Sequence, residues 1–276
     1  MRTVLSALSI LLAVLLTGAA VPSLWIDRNV VDEGGFVHLL EPLRNDAEFQ
    51  TALGTSLAST VVSASNVPAA LQPAATGLAK GIVTSLTTDP GYPAAWDEAV
   101  RESHRLNFSS VTATTGFTLE LRPLAGVMLA RMGSSLGVSL GEAPSIEVPV
   151  GTAQQRSWLT VMQDAGRLAV PLSLGAVFAF VLGLLFARRR GVALGWAGLG
   201  LLLVAALLAA GTFLASMFAG GQGGAGTVAS VFARRLGPLF SDSFMPWTGA
   251  VAIAGVVCLV LSLVAGVRRR RAAARR

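Results

Sequence analysis

The chain has 276 residues, of which 53% are hydrophobic and only 13% charged, with a mean hydropathy of +0.65. That composition excludes an ordinary water-soluble globular protein and points to the membrane. The pI of 11.1 does not mark a nucleic-acid binder, because the charge is divided by position. Residues 22–167 hold fourteen Asp and Glu against nine Lys and Arg, a net of −5, while ten arginines lie at residue 2, residues 188–190 and residues 268–276 with no acid among them.

Met1-Arg2 precedes an apolar run from Val4 to Val21 that continues through Pro22 to Trp25-Ile26. It reads either as an uncleaved anchor or as a signal peptide with Gly18-Ala19-Ala20 as a small-residue cleavage site. Its length favours the anchor, and either reading puts the following segment outside the cytoplasm. Leu168 to Ala187 is twenty residues without an ionisable group, enough at about 1.5 Å per residue to cross a hydrocarbon core of roughly 30 Å. Arg188, Arg189 and Arg190 follow. One arginine at the bilayer centre costs about 2.5–3.5 kcal/mol on insertion scales, and short basic loops stay in the cytoplasm, so this turn is expected inside. Val192–Ala219 is longer than a bilayer needs, and so must tilt or project. Trp247–Val267 is a further span, ending in Arg268, Arg269, Arg270 and Arg271, again expected inside. Contact of this arginine-rich tail with anionic lipid is a secondary expectation.

Between the first two spans lies a domain without a cysteine, since the only one, Cys258, falls in the last span. It must fold without disulfides, which its length allows. Asn45 is placed to cap a helix with Glu48 three residues on, and Phe49, Leu53, Leu57 and Val61 form an apolar stripe at four-residue spacing. Leu78, Ile82 and Leu86 make a weaker stripe after Pro68 and Pro73. Asp89-Pro90-Gly91-Tyr92-Pro93 predicts a turn, and Trp96, Val100, His104 and Phe108 line one face of a third helix. Phe117–Leu121 alternates as a strand does. A helix over Pro123–Leu136 follows, with Pro at a first-turn position. Ser145–Val150 alternates again and can pair with the first strand, Pro149 placing it at an edge. A helix from about Thr152, bearing Trp158 and Leu159, leads toward the second span, where Pro171 is expected to kink it. Between Glu48 and Asp89 only Lys80 is charged. Helices with Ser, Thr and Ala outer faces account for this stretch, as does an apolar surface that meets lipid, a wall polymer or another membrane protein. In the second outer loop, Gly220–Pro246, a glycine-rich opening precedes Val228, Val231, Phe232, Leu236 and Leu239 beside Arg234 and Arg235. That pattern suits a short amphipathic helix, at the outer interface or tucked under the main domain.

Trp96, Ala99 and His104 fit a W-x2-A-x4-H pattern. With Phe36-Val37 leading to Pro42-Leu43 and an apolar hairpin split by arginines, the chain resembles a group of uncharacterised actinobacterial integral membrane proteins. The resemblance implies four spans with a large domain between the first two, and brings no activity with it.

The two histidines, His38 and His104, have no close-spaced His, Cys or carboxylate set of the kind zinc sites use. No phosphate loop, nucleophile elbow or metalloprotease signature is present. His104 with Glu102 or Asp97 has the composition for acid–base work, but its place on the Trp96 line favours a hydrogen-bonded core histidine. His38 is read in the same way, paired locally with Glu41. The spans carry no charge that would mark a transport path. They do carry small-residue ladders, Ala250, Ala254, Cys258, Ser262 and Gly266 in one and Gly175, Ala179 and Gly183 in another, which allow close helix approach within the bundle or in a dimer. Trp25, Trp196 and Trp247 fall near span ends, as interfacial anchors do.

The expected fold class is an all-α membrane protein of four transmembrane helices, the first an anchor or a signal peptide, with a mainly helical extracytoplasmic domain containing a small two-stranded element. Its parts are the N-terminal anchor 1–26, the extracytoplasmic domain 27–167, spans 168–187, 192–219 and 247–267, the arginine turn 188–191, the outer loop 220–246 and the basic tail 268–276. The expected function is non-catalytic: a multi-pass plasma-membrane protein, both termini inside unless the first segment is cleaved, presenting a domain that binds or scaffolds an envelope component. An accessory subunit of a transport or signalling complex is the alternative, and a membrane-bound enzyme the third reading. No catalytic, cofactor-binding or metal-binding residue and no cofactor is assigned. The expected partners are membrane lipids and an envelope component or partner membrane protein, not nucleic acid.

Overall fold

A computed structural model of the protein describes residues 2–64, 77, 81, 86–109, 117–137, 139, 141–150, 156–219 and 228–274. The chain divides into two compact units, one of Met1–Arg28, Met162–Met217 and Phe240–Arg276, the other of Asn29–Val161 and Phe218–Leu239.

In the first unit, α1 (Arg2–Ile26) runs through Pro22 and ends in a π turn, Asp27–Val31. Then α6 (Arg156–Arg167), whose first residues up to Val161 belong to the second unit, and α7 (Ala169–Phe186) meet at Leu168, α8 spans Arg190–Ala219, and α9 is one helix over Val228–Ala274, of which 228–239 belong to the second unit. Four of these helices are long and apolar enough to cross a membrane. The expected kink at Pro171 lies one turn earlier, at Leu168. A proline ring inside a helix collides with the carbonyl four residues back, which here belongs to Arg167, so the ladder is interrupted just after it. The residues of the outer loop do not form a separate short helix: 228–246 is continuous with the last span through Pro238 and Pro246. Its glycine-rich opening lies outside the described residues.

Helix contacts in this unit run through small residues. On α7, Ala179 and Gly183 are buried against α1, and a Cβ at Gly183 would stand 2.7 Å from the Ile10 side chain. Ser6 Oγ donates to the Gly183 carbonyl at 2.7 Å. Val14 lies against Gly200 of α8 in the same way. Between α8 and α9 the backbones touch, a Cβ at Gly198 standing 2.7 Å from the Gly255 carbonyl, with Ser262 against Gly195 and Ala265 against Gly191. Within the bundle the expected ladder on α9 is engaged only in part: Ser262 lies against Gly195 of α8, whereas Ala250 and Ala254 are exposed and Gly266 has open space beside it. The contact turns on Gly255, because a glycine lets carbonyl meet carbonyl where an alanine holds the helices apart. Trp25 is buried, its Nε1 donating to Ser243 Oγ at 3.1 Å and its ring edge-on to Phe240 and Phe244. Trp247 carries the Arg28 guanidinium over its ring, and Trp196 is exposed.

The second unit begins with α2 (Glu33–Leu40), capped by Asp32, whose carboxylate accepts from Gly35 N at 2.8 Å. A 3₁₀ turn, Glu41–Asn45, leads to α3 (Ala47–Ala64). The cap of α3 is Asp46, not Asn45. The 3₁₀ turn keeps Asn45 helical, so the chain first becomes extended at Asp46, whose carboxylate accepts from Phe49 N at 2.8 Å. Phe49, Leu53 and Leu57 are fully buried as their spacing predicts, while the side chain of Val61, the Leu78–Ile82 stripe and Lys80 lie outside the described residues. α4 (Tyr92–Ser109), β1 (Thr118–Glu120), α5 (Arg122–Leu136) and β2 (Glu147–Pro149) follow. α5 has Pro in its first turn and ends at Gly137, whose φ of +67° suits a residue without a Cβ.

β1 and β2 pair antiparallel, with Thr118 opposite Pro149 and Glu120 opposite Glu147. Residues 117 and 121 bond toward β2, so Thr118 and Glu120 turn their backbone groups the other way. Pro149, which has no N–H, thus faces a residue that asks nothing of it. Val228, Val231 and Phe232 of α9 join the core with Phe49, Trp96 and Leu124, and Phe232 stacks on Phe117. The amphipathic stretch is tucked into this unit. Arg234 pairs with Glu48, and Arg235 reaches Asp46 at 3.0 Å and Glu48 at 3.1 Å.

Candidate functional site

The chemistry suspected in the sequence falls on α4. Asp89 starts it: its carboxylate accepts from Gly91 N at 2.7 Å and pairs with Arg131 of α5, and Tyr92 N caps back onto its carbonyl at 3.0 Å. The Gly91 N–H foremost, and Arg131 with it, hold this carboxyl below the ordinary value against the opposing effect of burial. Burial in turn pushes the Tyr92 phenol well above its ordinary range.

Trp96, Ala99, Val100, Ser103, His104 and Asn107 form the buried face. His104 is 7% exposed, lies flat on Phe108 at 4.4 Å between ring centres, and has Phe36 beside it. Its Nε2 stands 3.1 Å from the Val30 carbonyl, an acceptor only, so Nε2 carries a proton. The two carboxylates suggested as its partners are elsewhere. Glu102 accepts from Arg122 at 2.9 Å, and Asp97 faces Arg44 at 3.9 Å. His38 differs from the expected core residue: its ring is on the surface, with Nδ1 3.1 Å from Glu41. The W-x2-A-x4-H pattern thus spells a packing face, with Trp96, Ala99 and His104 all buried.

Ser103 and Asn107 escaped the sequence reading. Ser103 Oγ donates to the Ala99 carbonyl and accepts from Glu120 N at 2.8 Å. Asn107 Nδ2 donates to the Thr118 carbonyl at 2.6 Å while its Oδ1 accepts from Thr118 N at 2.9 Å. One turn apart on α4, these two side chains act as a third strand for the free edge of β1, which a two-stranded ribbon needs. Their i, i+4 spacing beside a predicted strand was the available signal. Among the described residues no group of three His, Cys, Asp or Glu is placed to hold a metal ion.

A groove of 820 Å³ lies between α1 and α8 in the membrane unit. One wall carries Thr3, Ala7, Leu11 and Val14, the other Val192, Trp196, Gly200 and Leu203, each set recurring at helical spacing. Arg188 and Arg189 lie at one end, and neither has an ion-pair partner among the described residues. Apolar walls with a cationic end can take a molecule with a long apolar part and an anionic head.

Family models, curated proteins and solved structures were compared with the chain, and none matches.

Proposed function

We propose that this is a non-catalytic multi-pass protein of the plasma membrane that holds its Asn29–Val161 unit outside the cytoplasm to bind or scaffold an envelope component. The observation that carries this reading is the gathering of arginines at one end of the helix bundle. Ser6 against Gly183, Gly191 against Ala265 and a groove shared by Thr3 and Arg188 bring Arg2, Arg188, Arg189, Arg190 and Arg268 to the same end. Basic residues flanking spans are retained in the cytoplasm. On this reading the chain that continues from the other end of α1 emerges outside the cytoplasm, and both termini lie inside. The fit of Ile10, Val14 and Gly18 against Gly183, Gly200 and Val204 supports α1 as an uncleaved anchor.

The unit has a dense core of its own and its polar α4 face is engaged in packing, which favours presentation of a surface over chemistry. Crosslinking in intact cells followed by purification tests the function. Recovery of wall-derived glycan or envelope lipid on peptides of 29–161 is the expected result. A stoichiometric membrane-protein partner crosslinked through the spans would replace this reading with that of an accessory subunit.

A further inference from the structure

We infer that the groove between α1 and α8 is a binding site for one anionic phospholipid, an acyl chain lying between the helices and the headgroup phosphate held by Arg188 and Arg189. The inference needs only that the four apolar helices cross a membrane, and stands apart from what the inserted unit binds.

The groove has the length for it. From Val192 to Leu207 it follows α8 for about 20 Å, against about 15 Å for one leaflet of the hydrocarbon core. A chain entering at the arginine end is therefore lined by protein through the whole of its leaflet. It also has the depth: Ala7, Ala193 and Gly200 present little or no side chain to it, whereas Trp196 stands 68% exposed along one edge. Water is excluded from the depth of a bilayer, and beyond Thr3 and Ser6 near the arginine end the walls are formed mainly by Ala, Leu, Val and Ile. An alkyl chain is the occupant such walls suit.

The charge decides the headgroup. Arg188 and Arg189 are adjacent and exposed, and they lack an acidic neighbour among the described residues. The third arginine of the turn begins α8. Guanidinium groups bind phosphate with paired N–H donors, and at the bilayer edge they keep their heads in the interface while their stems cover apolar surface. A zwitterionic lipid brings its own cation to the same place, so an anionic headgroup is preferred. Each basic residue near the surface is worth about 5-fold, so the pair should give roughly 30-fold.

The test uses the full chain purified in detergent, with native mass spectrometry of bound lipid after addition of phosphatidylglycerol or phosphatidylcholine with identical chains. The expected result is one retained phosphatidylglycerol, preferred by about 30-fold. Arg188→Gln with Arg189→Gln should abolish the preference, while Arg268→Gln with Arg271→Gln should leave it intact. Ala7→Trp keeps both arginines but fills the groove, and should lower phosphatidylglycerol occupancy at least several-fold. Ala193→Phe does the same from the other wall and stands in if Ala7→Trp fails to fold. Equal binding of the two lipids, a preference that survives loss of Arg188 and Arg189, or full occupancy with the groove filled would each overturn the site. The last outcome would mean headgroup contact at surface arginines only.

Discussion

The two units solve the same packing problem with opposite residues. In the Asn29–Val161 unit the side chains fully withdrawn from solvent are large: Tyr92, Phe49, Leu53, Leu57, Leu124 and Met128. In the spanning unit many withdrawn positions are small, Ala169, Ala179, Ala197 and Gly183 beside the larger Ile10, Trp25 and Phe244, while Phe178, Leu185, Leu203 and Leu263 stand 61–69% exposed. In water, burial of apolar area drives the large residues inward, at about 25 cal/mol per Å². Against lipid that drive is absent, since acyl chains are as apolar as leucine, and helices associate through close backbone approach instead. The same residue type therefore has opposite consequences in the two units.

The sharpest way to break this comparison is a pair of phenylalanine substitutions. Phe49→Ala removes a ring that meets Trp96 edge-on at 5.8 Å and Phe232 at 6.0 Å. It should destabilise its unit by about 3–5 kcal/mol, read as faster hydrogen exchange in peptides of 47–57. Phe178→Ala, on a ring 66% exposed along α7, should leave the melting temperature in detergent unchanged. Similar losses for both would show that large side chains stabilise the spans as they do the other unit.

The next contrast lies inside the spanning unit. Gly198→Leu places a side chain where the Gly255 carbonyl already sits, and should cost about 1–3 kcal/mol or more as overpacking, seen as loss of monodisperse protein. Ala254→Leu, one residue from Gly255 but exposed, should be tolerated. The reverse ranking would restore the Ala250–Gly266 ladder as the contact face.

What the sequence could and could not reveal follows the same physics. The four spans were legible because twenty uncharged residues admit few other environments, and so was the Phe49–Leu57 stripe, because a water-exposed helix must declare its buried face. The β1–β2 pairing followed from alternation. Local competition was harder to read. Asp46 took the cap from Asn45 because a 3₁₀ turn ran on to residue 45. The break at Leu168 answered a proline three residues ahead. Contacts between spans were least legible, since every face of such a helix is apolar and only the partner decides which small residues meet. The α1–α8 groove depends on that pairing, so Arg188 and Arg189 read as a topology signal and their place beside Thr3 and Trp196 stayed hidden. Ser103 and Asn107 were missed for a different reason: their partners are backbone groups of β1, so only their i, i+4 spacing pointed to them.

His104 compares a buried polar group with the apolar core around it. His104→Ala removes the ring stacked on Phe108 and leaves the Val30 carbonyl without its donor, at about 1–3 kcal/mol. His104→Gln can still donate there and should recover part of the loss. Hydrogen exchange of peptides from 92–109 reports both. An unchanged exchange rate for His104→Ala would remove the packing role and make this face the place to search for a ligand.

The smallest effect concerns the start of the same helix and depends on pH. The Asp89 carboxyl is held below its ordinary value of 3.8 by the Gly91 N–H and by Arg131. A group whose folded value is depressed contributes stability above the unfolded value, and loses it as pH falls through the folded one. The contribution is thus complete at pH 5 and above, and shrinks only as the solution becomes more acidic than about 3.8. Asp89→Asn keeps an oxygen that can accept from Gly91 N but cannot pair with Arg131 as an anion. It should therefore be less stable than the parent at pH 6, by at most about 1 kcal/mol for a pair near the surface, and the gap should close on acidification. Arg131→Gln should produce the same gap at pH 6, because it removes the other half of the pair. Melting curves of parent and variants between pH 6 and pH 3 would show the convergence, and curves that stay parallel would mean that Asp89 acts as a turn former alone, its charge irrelevant to the start of α4.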